Sequence, residues 1–169
     1  NEPAFHLGKR DGFDTLASRD FSKGNCRTMS YSPLLNPLAG TLSFGIVPAL
    51  NLAGEALPEA EIRLFVGKHI GPHRGFGARH ISAEHGGALE RLGLLEESGV
   101  SQFVAQIIRA GTPLFYEGAS WRTTRLMAVR SASGQAILEF RAQREAAIWS
   151  VVTAFPGTKT HGTRVGTVR

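Results

Sequence analysis

The stretch SASGQAILEFRAQREAAIWSVVTAF, Ser131 to Phe155, decides how the chain folds. Its apolar residues recur at every second position, the period of a strand with one face on a core. From Gln135 to Arg141, Ala136, Leu138 and Phe140 alternate with Gln135, Ile137, Glu139 and Arg141. Ser131-Ala132-Ser133-Gly134 makes a hairpin loop to the strand before it. Ala147 to Phe155 is the next strand, with Thr153 on the face of Trp149, Val151 and Phe155. Further back, Thr123 to Arg130 and Leu114 to Glu117 complete a set of four strands separated by turn residues. Before Thr112 the period is helical. Val100, Phe103, Val104, Ile107 and Ile108 follow the i, i+3, i+4, i+7, i+8 spacing and predict a helix over about Ser101 to Arg109, stopped by Gly111 and Pro113. An earlier helix is expected over Ser82 to Leu94, with Ile81, His85, Ala88, Leu89 and Leu92 on one face. Helices followed by a meander make an α+β fold: N-terminal helices packed on a four-stranded, or slightly larger, antiparallel sheet, with no parallel crossover.

Upstream the signals weaken. Glu61 to Val66 is a short apolar-rich run, a strand or a helix end, and Gly67 to Arg79 (GKHIGPHRGFGAR) reads as a loop. The chain divides at residues 55–62 into a poorly defined segment 1–61, a linker or a segment for entering a cell, and a domain 62–169. Pro33 to Gly54 is apolar and uncharged, but Pro33, Pro37 and Pro48 interrupt it. A spanning helix wants about 20 uninterrupted apolar residues, so no stable membrane span is expected. The chain starts at Asn1 and reads as a fragment of something longer. Its single cysteine, Cys26, excludes an internal disulfide.

Charge separates the two parts. The net charge is +5, yet residues 1–62 carry five Lys/Arg against seven Asp/Glu, and residues 63–169 carry fourteen against seven. A basic half suggests an anionic partner, nucleic acid first and a membrane surface second. Only four of the cations are lysines (Lys9, Lys23, Lys68 and Lys159), a bias that suits bidentate phosphate contacts and that a GC-rich genome would also produce.

Four of the six histidines (His69, His73, His80 and His85) fall within the seventeen residues from His69 to His85. Three chemistries compete for them. A metal site is one, since imidazole is a favoured transition-metal ligand. However, His80 and His85 are five apart, about 140° around a helix, and no Cys or Asp supplies a fourth ligand. A structural role is the second, with His85 a hydrogen-bonded residue on the apolar stripe of its helix. Acid–base catalysis on RNA is the third. Metal-free cleavage needs a base for the 2′-hydroxyl proton, an acid for the leaving 5′-oxygen, and cationic or hydroxyl donors for the phosphorane. GPHRGFG has neither a GxxxxGK[ST] pattern nor a strand–GxGxxG–helix context, so its glycines suit tight turns and close approach of backbone rather than a nucleotide phosphate. Trp121, Trp149, Phe155 and Tyr116 suit base stacking, though at strand spacing core packing is favoured.

The run GKHIGPHRGFGARHISAEHG, Gly67 to Gly86, followed by two helices, four strands and WSVVTAFPGTKTHGTR, Trp149 to Arg164, resembles the barnase–EndoU–colicin–RelE-like nucleases. The resemblance is to the versions in phage head-associated proteins and at the C-termini of polymorphic and contact-dependent inhibition toxins. It covers about residues 62–164. It implies a metal-independent endoribonuclease without cofactor, often aimed at tRNA and neutralised by a cognate immunity protein. Such a domain is delivered as the C-terminal part of a larger protein and acts in the cytoplasm of a target cell. His80 and His85 match the paired histidines of the family's HIxxEH-like element, which implies general acid and base roles. Thr153 matches the threonine of its VVTAFP-like run, a phosphate or 2′-hydroxyl contact. Lys68, Arg79, Arg122, Lys159 and Arg164 are the candidates to hold phosphate. The tail cations Lys159 and Arg164, with His161, are unopposed by acids, so the immunity protein is expected to be acidic and to cover them. Two alternatives stand beside this: a non-catalytic basic module binding RNA or protein, and a transferase toxin modifying a macromolecule, for instance by ADP-ribosylation. Against the transferase, there is no dinucleotide-binding pattern, and Glu117, Glu139 and Glu145 form no paired motif.

Overall fold

A computed structural model describes residues 31–52, 54–94, 97–116, 126–142, 146–157 and 162–169. In chain order the elements are β1 (Ile46–Val47), β2 (Leu50–Leu52), β3 (Glu55–Leu57), β4 (Ala60–Arg63), β5 (Lys68–Gly71) and β6 (Arg74–Phe76). Two helices follow, which we number α1 (Gly77–Arg91) and α2 (Glu97–Ile107). The chain then forms β7 (Pro113–Tyr116), β8 (Leu126–Ser131), β9 (Gly134–Arg141), β10 (Ile148–Phe155) and β11 (Thr163–Thr167).

Seven of these strands form one sheet in the order β1-β4-β10-β9-β8-β7-β11. β7 to β10 is the antiparallel meander that the alternating pattern predicts. The sheet does not stop there. β4 pairs parallel with β10, Trp149 opposite Ile62. β11 pairs antiparallel with β7 at the other side. The two edges then approach: the Ile46 N–H donates to the Arg169 carbonyl at 2.8 Å, and the Arg169 N–H donates back at 2.9 Å. The result is a nearly closed, mixed, barrel-like sheet with two short helices and two small hairpin sheets, β2-β3 and β5-β6.

This corrects the expected α+β arrangement of N-terminal helices on a four-stranded antiparallel sheet. The helices lie in mid-sequence, strands precede them, and one pairing is parallel. The expectation failed because the added strands are too short to show a period. β1 has two residues, and β11, TRVGT, is nearly without large apolar side chains. Their pairing comes from backbone groups, which carry no residue signature. The supposed loop Gly67–Arg79 is likewise a hairpin running into α1. Among the described residues no helix is long and apolar enough to cross a membrane. The apolar stretch 33–54 contributes a loop bridged between Asn36 and Thr41, then β1 and β2.

The core lies between the sheet and the helices. Ile81 and Leu89 of α1, and Val100, Phe103, Val104 and Ile107 of α2, are buried with Ile62, Met127, Val129, Leu138, Trp149 and Val151. Each such side chain removed from water contributes about 1.5–3 kcal/mol. Trp149 is fully buried, edge-on to Phe140 at 5.2 Å, so its ring faces protein and not solvent.

One alternation breaks. The register of β10 against β9 shifts between Val151 and Thr153. Trp149, Val151 and Ala154 all join the main core, so the inward positions change phase at the shift. Thr153 therefore leaves the face of Trp149 and Val151, on which simple alternation places it.

Candidate functional site

The histidine segment folds as the β5-β6 hairpin and the first two turns of α1. Helix α1 starts without a side-chain cap. Instead the Ala78 and Arg79 N–H groups donate to the Phe65 and Val66 carbonyls, both at 2.9 Å, satisfying donors that a helix start leaves free. Those bonds fix the helix directly behind the hairpin. Two close approaches require glycine. Gly77 has φ +76, and a Cβ there would stand 2.4 Å from the Phe65 carbonyl oxygen. Gly75 has φ +150, and its Cβ would stand 2.8 Å from His80 Nδ1 and 2.3 Å from the Lys68 carbonyl oxygen. The hairpin thus lies on the His80 ring.

His80 is buried, and its ring stacks on that of His69 with centroids 5.5 Å apart. The two Nδ1 atoms are 3.3 Å apart. Glu84, one turn after His80, turns its carboxylate to the same place: Oε1 lies 3.8 Å from His69 Nδ1 and Oε2 lies 3.6 Å from His73 Nδ1. The His73 N–H donates to Glu84 Oε1 at 3.1 Å, and His73 itself sits in the hairpin turn with φ 58. His85 is half-buried, with its ring 5.3 Å from that of Phe155 on β10.

Burial holds the His80 imidazole below its ordinary value; Glu84 opposes this, and the neighbouring His69, His85 and His73 reinforce it. Burial lowers His85 as well, again against Glu84 and with His73. The His73 backbone N–H holds the Glu84 carboxyl below its ordinary value, and the surrounding histidines add to the effect. His80 and His85 therefore favour their neutral forms beside the ionised Glu84 carboxylate.

The other expected residues divide. Lys68 on β5 and Arg79 at the start of α1 are exposed next to the cluster, and Arg74 on β6 joins them. Thr153 lies on β10, and its Oγ1 is buried with no hydrogen-bond partner among the described residues, as are Ser150 Oγ and Trp149 Nε1. Arg164 is on β11, separated from β10 by β9, β8 and β7 one way and by β1 and β4 the other. It does not join the histidines. Arg122 and Lys159, with His161, lie outside the described residues. An open cleft bordered by Asn36, Phe44, Ile108, Arg109 and Arg169 lies on other elements and shares no residue with the cluster.

Sequence reasoning paired His80 with His85 and passed over Glu84, His69 and Gly75 as site residues. The i, i+4 spacing of His80 and Glu84 was legible, since it puts both on one helix face. The contribution of His69 was not, because it depends on a hairpin that carries no alternating apolar pattern. The fold and site together define a small, barrel-like mixed-sheet protein with a histidine–carboxylate cluster between a hairpin and a helix. Comparison of the chain with protein-family models, characterised proteins and solved structures finds no significant match.

Proposed function

We propose that the chain is a metal-independent endoribonuclease, cutting tRNA foremost, that uses His80 and His85 as its acid–base pair. We further propose that it is the toxic part of a delivered protein and is restrained by an acidic immunity protein. The observation that carries this reading is the placement of one buried and one half-buried imidazole, His80 and His85, on successive turns of α1, beside a hairpin and helix start that expose Lys68, Arg74 and Arg79. Those cations suit a polyanion approaching the cluster. One imidazole takes the 2′-hydroxyl proton as the oxygen attacks phosphorus. The other donates a proton to the departing 5′-oxygen, leaving a 2′,3′-cyclic phosphate. Lowered imidazole values suit the base, and Glu84 partly offsets that lowering at the imidazole that serves as the acid. The Thr153 hydroxyl, without a hydrogen-bond partner among the described residues and on the strand that also bears Phe155, is the proposed donor to phosphate or the 2′-hydroxyl.

The test is incubation of the tag-free chain with total tRNA in excess EDTA, followed by end-group analysis. Discrete fragments with 2′,3′-cyclic phosphate ends are expected, with rates at least about 100-fold lower for His80→Ala and His85→Ala. Intact RNA, or cleavage undiminished in both variants, overturns the reading in favour of a binding module or a transferase.

A further inference from the structure

The cluster offers more donors than acid–base chemistry uses. Two nitrogens bound to one tetrahedral zinc-type ion at about 2.05 Å stand about 3.3–3.4 Å apart. His69 Nδ1 and His80 Nδ1 already stand 3.3 Å apart. A single N–H···N bond gives the same distance, but the third donor goes beyond such a pair. Glu84 brings a carboxylate oxygen to 3.8 Å from His69 Nδ1, and one donor atom from each of the three residues lies within 4.8 Å of the others.

The scaffold is also built for ligation. His80 and Glu84 come from adjacent turns of one helix, and His69 comes from a hairpin locked onto that helix through Gly75. The Glu84 carboxylate is also held by the His73 N–H, which donates to the same oxygen, Oε1, that faces His69, an outer-sphere bond of the kind ligating carboxylates ordinarily receive. Two imidazoles and a carboxylate suit zinc, cobalt or nickel, and three protein ligands leave a position open to water or an inhibitor.

The geometry points to a divalent transition-metal site of the zinc class made by His69, His80 and Glu84, whose filling silences RNA cleavage by occupying the His80 imidazole. The silencing rests on the ribonuclease reading above; the site itself does not.

The test uses the tag-free full chain, cobalt(II) as a spectroscopic probe and zinc as competitor. One equivalent of cobalt is expected to bind with visible absorption that zinc abolishes. Affinity falls at least about tenfold in His69→Ala and Glu84→Gln and persists in His85→Ala. Absence of stoichiometric binding, or equal binding by folded His69→Ala and Glu84→Gln, overturns the site. Cleavage in EDTA that one equivalent of zinc stops supports the silencing, whereas cleavage only with zinc overturns it. Cobalt binding in a chain that cuts no RNA under either condition retains the site while removing both the silencing and the ribonuclease reading.

Discussion

Among single residues, Gly75 controls whether the cluster assembles. Its φ of +150 and the 2.8 Å approach of a Cβ to His80 Nδ1 leave no room for a side chain without moving hairpin from helix. Gly75→Ala is expected to destabilise the protein by about 1–3 kcal/mol, from backbone strain and displaced packing. The urea midpoint measures this, and an unchanged midpoint would mean that the hairpin does not lie on His80. The same residues show what could be read in advance. A histidine-dense segment rich in glycine was visible, and so was the Glu84 carboxylate one turn from His80. That the glycines serve close contact with an imidazole, and that His69 rather than His85 is stacked on His80, depends on the hairpin.

At the scale of elements, α1 shows how tertiary contacts override local preference. It begins at Gly77, well before the expected Ser82, and contains Gly86 and Gly87 in its interior. The backbone carbonyls of Phe65 and Val66 stand in for the missing cap, and Ile81 and Leu89 anchor the helix in the core. A Cβ on Gly87, which is exposed, meets nothing within 4 Å. Gly87→Ala is therefore expected to raise stability by about 0.5–1 kcal/mol through helix propensity and reduced freedom of the unfolded chain. A lower thermal midpoint for this variant would show that the space around Gly87 is not open to a side chain. Strand β10 departs from its local pattern in another way. Its apolar alternation was clear, yet one extra residue between Val151 and Thr153 reversed the facing of the positions beyond it. Alternation identifies a strand more securely than it assigns the faces past a bulge.

For the whole molecule, the decisive feature is closure. Ile46 and Arg169 exchange two backbone hydrogen bonds, and Val168 is buried with its N–H donated to the Thr112 carbonyl. These bonds join the β1 side of the sheet to the chain end that follows β11, where open edge groups are otherwise free to pair with other chains. Amide hydrogen exchange is expected to show the Ile46 and Arg169 N–H groups protected to a degree comparable with Leu138 on β9. Exchange of Arg169 at the rate of a free tail would mean an open sheet. The site gains from this architecture because β4, β10 and α1 are packed together, so the hairpin between β4 and α1 is held at both ends.

By itself the sequence determined the meander from β7 to β10, the apolar face of α2, and the concentration of histidine and positive charge in the basic half. Those features are local, written as periods of two and 3.6 residues or as composition, and need no knowledge of what packs where. Only the tertiary structure decided the parallel pairing of β4 with β10, the closure through Arg169, and the meeting of His69, His80 and Glu84. The first two depend on backbone groups and short strands distant in sequence, and the third on a hairpin folding back onto the helix that follows it; these pairings are fixed by the shared core and hydrogen-bond satisfaction, not by side-chain pattern.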